Sequence, residues 1–472
     1  LSALAEPARR GRPDGRLFGA KVALARAIGG ASRASGRGGG TTLPGRVLLR
    51  FAPDAIARLG AGLDRGVTVL SATNGKTTTA AMIAAVLEGA GRPPVHNRAG
   101  SNMTWGVATA LLEQRGREGL FEVDEAWLPR VASQLRPSLI VLGNLFRDQL
   151  DRYGEIETIA DGWAATVAEH AGRTRFALNA DDPLIADLGR DAEGVPREGV
   201  AYFGVEDASQ ALPELQHAFD AKHCRRCGHP YSYERAFVGH LGHYACESCG
   251  AQRPRPDVAA TRIELRGMAG SLVELRTPRG EMRLELPLPG LYNVYNALAA
   301  VAAGLELGVE EAGIAAALGE VRAAFGRVET IAVGGKPVSI LLVKNPAGTN
   351  EVLRTLKLEA DADEDLDLWL ALNDGIADGR DVSWVWDADF ELLAGHVRRV
   401  VCAGTRAAEM ALRLKYAGWP QETIEVEPEI DASLDRAVAA APRRVFALPT
   451  YTALLELRKL LAARGLAEEF WR

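Results

Sequence analysis

The sequence predicts an α/β protein: a central phosphate-loop domain of mainly parallel sheet covered by helices, interrupted by a four-cysteine ribbon and followed by a second, Rossmann-like α/β domain. Three observations carry this. From about residue 66 to 330 short apolar runs alternate with helix-like stretches, as in "GVTVLSAT" then "TTTAAMIAAVLEGAG", and "PSLIVLGNL" then "IETIADGWAATVAEH". Strand, turn and helix in repetition build a parallel sheet under helices. At about residue 220 the pattern breaks into the short, polar, aromatic "HCRRCGHPYSYERAFVGHLGHYACESCG", then resumes with "RIELRGMAGSLVELRT" and "EMRLELPLP". A further set of strand-like runs starts near residue 331 ("KPVSILLVK", "LDLWLALND", "VRRVVCAGT", "RRVFALPT"), interleaved with helical "AAEMALRLKYAG" and "YTALLELRKLLAARG".

The expected division is therefore an arginine-rich N-terminal segment (1–65), a central domain (66–330) with its insertion at about 220–255, and a C-terminal α/β domain (331–472). A chain of 472 residues exceeds what one core supports. With 47% hydrophobic and 25% charged residues it reads as globular and soluble, and a net charge of −6 argues against nucleic acid as the main partner. The arginines of "RRGRPDGR" and "RASGRGGG" read as a solvated face, with at most a weak attraction to anionic lipid heads. No signal-peptide core and no run of ~18 apolar residues follows, so a cytoplasmic protein is expected. The acidic "LEADADEDLD" reads as a solvated loop before a strand.

Four of the five cysteines form two C-x-x-C pairs, Cys224/Cys227 and Cys246/Cys249, separated by eighteen residues. That spacing lets two knuckles converge on one tetrahedral Zn²⁺, and four thiolates leave no open position, so the ion would be structural. A redox pair is the competing reading. His223, His229, His240 and His243 read as surface residues beside the cluster. Cys402, alone in "RRVVCAGTRA", reads as a buried structural thiol.

The stretch "VLSATNGKTTTA" holds the chemistry. After a buried strand, Gly75 lets the backbone turn so that consecutive N–H groups face phosphate oxygens, helped by the positive end of the following helix. Lys76 would reach the β- and γ-phosphates and Thr77 would ligate Mg²⁺. Thr73, Asn74 and Thr78 complete the loop. The longer pattern G-x-x-x-x-G-K-[ST] would need glycine where Leu70 stands, so the residues alone leave an ordinary strand–helix turn open.

"ATNGKTTTA" resembles the short loop of the Mur ligases and folylpolyglutamate synthases, with Ala72 in place of its first glycine, a change that requires a negative φ there. Further segments resemble that family in order: "NRAGSNMTWG", "FEVDEA", "NLFRDQLDRYGE", "LNADDP", "GLYNVYNALAA" and "FGRVE". The resemblance implies ATP as cofactor, Glu122 as the Mg²⁺-associated carboxylate, Asn179 and Asn293 near adenine or ribose, and Arg327 on phosphate or nucleotide. Gln149 stands where most Mur ligases have a metal-binding histidine, and Tyr292 replaces the histidine of a G-x-H-N element; an amide oxygen still suits Mg²⁺ but is a weaker ligand.

Together with the ribbon, the C-terminal segments "KNPAGTNEVLRTL", "LNDGIADGRDVSWVWDADFE", "GTRAAEMALRLKYAG" and "LPTYTALLELR" are similar to the MurT branch of the family. That branch implies amidation of the D-glutamate α-carboxylate in the stem peptide of lipid II, at the inner face of the membrane, through an acyl phosphate. Ammonia would come from a separate GatD-like glutaminase in a heterodimer. The N-terminal segment would lie on the substrate side, and the C-terminal domain would lend the glutaminase an aspartate, Asp378 or Asp381. Both aspartates could equally brace a turn beside Gly379. Two other classes stay open: an amino-acid-adding ligase, which would form product without glutamine, and a non-catalytic scaffold, which would tolerate loss of Lys76.

Overall fold

Val67–Ser71, the apolar run ahead of the phosphate loop, is a strand buried along its whole length. Its side chains alternate between two cores, Leu70 on one face and Val67 and Val69 on the other, as the two-residue period of a strand requires. The computed structural model describes residues 15–34, 42–97, 101–147, 156–216, 219–322, 328–363 and 365–467.

This strand, β1, is followed by β2 (Val95–His96), β3 (Gly119–Glu122), β4 (Leu139–Leu142), β5 (Arg175–Asn179) and β6 (Val200–Val205). A separate hairpin, β7 (Ser232–Val238) and β8 (Leu241–Ala245), precedes β9 (Val258–Leu265), β10 (Ser271–Thr277) and β11 (Gly280–Leu286). All but the hairpin join one nine-stranded sheet in the order β11-β10-β9-β6-β5-β4-β1-β3-β2. It is parallel from β2 to β9 and ends in the antiparallel meander β9-β10-β11. Helices Lys76–Gly89 and Leu291–Glu306 cover one face through Met82, Val86, Val294 and Val301. Helices Thr104–Glu113, Leu128–Leu135 and Ile156–His170 cover the other through Val107, Val131 and Trp163.

The C-terminal unit has six strands, β12 (Glu329–Val333), β13 (Lys336–Ile340), β14 (Leu366–Ala371), β15 (Val397–Ala403), β16 (Ile424–Val426) and β17 (Val445–Pro449), in the order β12-β13-β17-β14-β15-β16. Only β12 runs antiparallel to its neighbour. No helix among the described residues is long and apolar enough to cross a membrane.

Two sequence expectations are corrected. The acidic stretch is not a loop: "LEADAD" forms the last turns of helix Pro346–Asp363. Leucine, glutamate and alanine are good helix formers, and Lys357 pairs with Asp361 one turn on at 2.5 Å. Nor is every histidine near the cysteines on the surface. His223 and His229 are exposed, but His240 at the turn of the β7–β8 hairpin is fully buried, because the hairpin tip enters the core of the central unit with Phe237, Val238 and Leu241.

Candidate active site

At the carboxyl end of β1 the chain turns through Ala72–Gly75 into the helix beginning at Lys76. Gly75 has φ +85°, and a Cβ there would lie 2.0 Å from the Asn296 amide oxygen, so glycine is required by conformation and by space. Ala72 is not among the positive-φ residues, which meets the condition that its replacement of glycine imposed. Asn144, at the end of β4, pins the loop: its side chain accepts from Asn74 N at 2.9 Å and donates to Asn74 O at 3.1 Å. Thr73 Oγ1 accepts from Phe146 N at 3.1 Å. Thr78, in the first turn of the helix, is buried and lines the same cavity as Asn74 and Gly75.

Thr77 and Glu122 meet. The threonine hydroxyl donates to Glu122 Oε1 at 3.2 Å, and Glu122 ends β3 with its backbone gripped on both sides by the Asn97 amide, at 2.9 and 2.7 Å. A hydroxyl and a buried carboxylate at the head of the phosphate loop form a hard oxygen donor set suited to Mg²⁺. Gln149 and Arg327 lie outside the described residues. Asn293 lines the cavity that Asn74, Gly75 and Thr78 also line, and donates to Pro289 O at 2.8 Å. Asn179 is placed differently: it sits behind the loop, its side-chain oxygen accepting from Asp181 N at 3.0 Å.

Lys76 is buried and folded back, donating to Ala72 O at 2.5 Å and to the Glu125 carboxylate at 2.8 Å. Glu125 is the residue that sequence reasoning missed; "FEVDEA" offers three acids, and only Glu122 was singled out. Burial alone would lower the Lys76 ammonium, but Glu125, with Asp124 and Glu122, holds it above its ordinary value. Burial alone would raise Glu125, yet Lys76 and Lys344 hold it below the usual carboxylate range. Lys344 comes from the C-terminal unit and donates to Thr73 O at 3.2 Å, while its neighbour Asn345 donates to the Asn74 amide oxygen at 2.9 Å. The site is thus assembled from two units, with the cavity between them.

In the loop after β14, on the same carboxyl edge of the C-terminal sheet as Lys344, Asp378 is buried and accepts from Thr452 N at 2.8 Å as well as from the Thr452 hydroxyl. Burial pushes its carboxyl up. Asp381 is exposed, and Ser383 N, donating to it at 2.8 Å, helps hold its carboxyl below the ordinary value. The four cysteine sulfurs gather at the outer end of the β7–β8 hairpin, all within 4.8 Å of one another. Cys224 and Cys249 Sγ are 3.6 Å apart and Cys227 and Cys246 Sγ 3.4 Å. Four thiolates at ~2.3 Å from one tetrahedral ion would lie roughly 3.8 Å apart, so the donors fit Zn²⁺.

Comparison with known proteins decides among ligases of this architecture. The Mur ligase middle domain matches residues 71–304 and the MurT ligase C-terminal domain residues 342–454. The lipid II isoglutaminyl synthase (glutamine-hydrolyzing) subunit MurT of Streptococcus pneumoniae is 34% identical over 92% of this chain and 94% of that protein. The chain belongs to the MurT family. The same subunit of Staphylococcus aureus is 31% identical to this MurT-family chain, covering 93% of it and 97% of the relative. In fold, it resembles a pseudomurein peptide ligase type C from Methanothermus fervidus, at TM-score 0.66 and 22% identity over 86% of this chain and 80% of that one.

Proposed function

We propose that this chain is the ATP-using subunit of a two-subunit ligase. It amidates the α-carboxylate of D-glutamate in the peptidoglycan stem peptide of lipid II, giving D-isoglutamine. The observation that carries this reading is the meeting of Thr77, Glu122 and Lys76 at the phosphate loop in a chain of the MurT family. A carboxylate is a poor electrophile at neutral pH. One of its oxygens displaces ADP from the γ-phosphorus to give an acyl phosphate; ammonia then adds to the carbonyl carbon, and phosphate leaves with the surplus proton.

Positioning and charge neutralisation supply most of the rate in phosphoryl transfer. The loop amides around Gly75 cradle the phosphates, and Lys76 leaves Glu125 to neutralise them. Lys344 brings a second cation from the C-terminal unit. Thr77 and Glu122 would hold Mg²⁺, which when bound neutralises charge on the β- and γ-phosphates. Asn293, in the wall of the same cavity, would lie beside the nucleoside.

Ammonia comes from a GatD-like glutaminase. Among the described residues Cys402 is the single thiol outside the cluster, and it is fully buried with its pKa pushed up to about 12 by desolvation, so it is no nucleophile. Asp381 is the aspartate suited to complete the partner's Cys–His pair: it is exposed and ionised, whereas Asp378 is spent on Thr452. Cys224, Cys227, Cys246 and Cys249 would hold a Zn²⁺ with no open position, so its role would be structural. The decisive experiment is mass spectrometry of lipid II incubated with this chain, ATP, Mg²⁺ and the glutaminase. The expected result is the small mass decrease of hydroxyl exchanged for amide. Product formed from an added amino acid without glutamine would replace this reading with an amino-acid-adding ligase.

A further inference from the structure

The four-cysteine ribbon stands at the nucleotide cavity, not apart from it. Its metal-binding end is on the surface, with Cys227 and Cys249 exposed. From there β7 runs inward for seven residues, ~20 Å at the rise of a strand. At the tip, Val238 and Leu241 form part of the wall of the same cavity that Gly75 and Asn293 line. His240 between them is fully buried, its ring 4.6 Å from that of Phe146, another wall residue, and its Nε2 3.4 Å from the Asp182 carboxylate. The tip is also tied across the cavity: Arg354 of the C-terminal unit donates to Phe237 O at 2.6 Å.

Resting on the reading of this cavity as the ATP site, we propose that the ribbon is a base-binding element whose structural metal sets nucleotide affinity. Four thiolates on one ion fix the outer end of the hairpin, and two strands transmit that order to the tip. The apolar faces of Val238 and Leu241 suit the adenine ring, because a base buries its π-faces against hydrophobic side chains while its phosphates sit at the glycine loop. Without the metal the exposed cysteine end has no core of its own to hold the strand register, and the wall at the tip loosens. The triphosphate contacts, made by another part of the chain, are untouched.

The test measures the Kd of the ATP analogue AMPPNP with Mg²⁺ by calorimetry, and of inorganic tripolyphosphate by competition. The proteins are zinc-loaded wild type, chelator-treated wild type, Leu241→Ala, Val238→Ala, Lys76→Ala and Glu234→Ala. Removing most of a leucine side chain from a ligand's apolar wall costs on the order of tenfold in affinity. Chelation and Leu241→Ala should therefore weaken AMPPNP about tenfold, with Val238→Ala less affected. None of the three should change tripolyphosphate binding, and exposed Glu234→Ala should match wild type. Should either zinc-free or Leu241→Ala protein fail to fold, Val238→Ala in the zinc-loaded state carries the same comparison. AMPPNP affinity unchanged in the folded, zinc-free protein and in the tip variants overturns the proposal. Equal losses for AMPPNP and tripolyphosphate overturn it too, since they mean a general loosening. Absence of AMPPNP binding to wild type defeats the ATP reading itself, and this inference with it.

Discussion

At the scale of single residues, the free site is held by an internal substitute for its ligand. Glu125 occupies the Lys76 ammonium, and both side chains are about nine-tenths buried, at 9% and 11% exposure. Removing one member of such a pair strands the other, a cost of about 3 kcal/mol. Glu125→Ala should therefore melt at a clearly lower temperature than wild type. It should also gain more stability from AMPPNP and Mg²⁺, because in wild type Lys76 must leave a carboxylate to meet the phosphates and in the variant it leaves only backbone carbonyls. Equal ligand-induced shifts in a melting experiment would mean that Lys76 does not exchange partners. The pH behaviour follows from the directions of the two shifts. The carboxylate is depressed, so its stabilisation is complete above the ordinary value of 4.5 and is lost as pH falls through its lower folded value. The ammonium is raised, so its share is complete below 10.5 and is lost as pH rises above that through its higher folded value. Between these limits the pair is intact, and its contribution to melting should be flat with pH. Asp378 differs. It accepts from Thr452 N in the first turn of helix Tyr451–Ala463, acting as a cap supplied from another segment, so Asp378→Ala should cost about 1 kcal/mol in thermal stability.

Among the elements, those with a strong period were legible and those whose length is set by packing were not. "VTVLS" before Asn74-Gly75-Lys76 could only be a buried strand leading into a helix, and it is. Glycine at position 75 is demanded by local sterics, which sequence carries. Glu125 was hidden because nothing in "FEVDEA" says which of three acids turns toward the loop; that depends on the short helical turn Glu125–Trp127 after β3. The acidic stretch was misread because charge shows solvation and says little about backbone conformation. His240 was misread for the opposite reason: "AFVGHLG" is an apolar run around a histidine, a burial signal outweighed by the nearby thiols. The ribbon also makes a chemical prediction. Cys402 sits on β15 with its thiol raised to about 12 by burial, so it is protonated and shielded at pH 8. Alkylation counted by mass spectrometry should label none of the five cysteines in metal-loaded protein, four after chelation and all five after denaturation. Labelling of Cys402 in the folded protein, or four labelled thiols before chelation, would contradict this arrangement.

For the whole molecule, two loops on the carboxyl edge of the C-terminal sheet are suited to different tasks. The loop after β13 sends Lys344 and Asn345 to the phosphate loop of the central unit. The loop after β14, two strands across the same edge, carries Asp374, Asp378 and Asp381. A carboxylate that must orient an imidazole on another subunit has to be ionised, exposed and held in place. Asp381 has all three properties, since the Ser383 N–H both lowers its carboxyl and fixes its rotamer. Losing the orienting carboxylate of a nucleophile–histidine pair costs on the order of 10³- to 10⁴-fold in rate. Asp381→Ala, reconstituted with the glutaminase, should accordingly lose glutamine-dependent amidation of lipid II by a factor of that order. The same variant supplied with ammonium chloride should keep nearly the wild-type rate, because the contacts to the phosphate loop are made by Lys344 and Asn345, and Asp381 bonds to Ser383 instead. Asp378→Ala should depress both rates together, and only near its lowered melting temperature. If Asp381→Ala amidates normally with glutamine while Asp378→Ala loses only that half of the reaction, the roles given to the two aspartates are reversed. The buried carboxylate would then have to leave Thr452 when the partner docks.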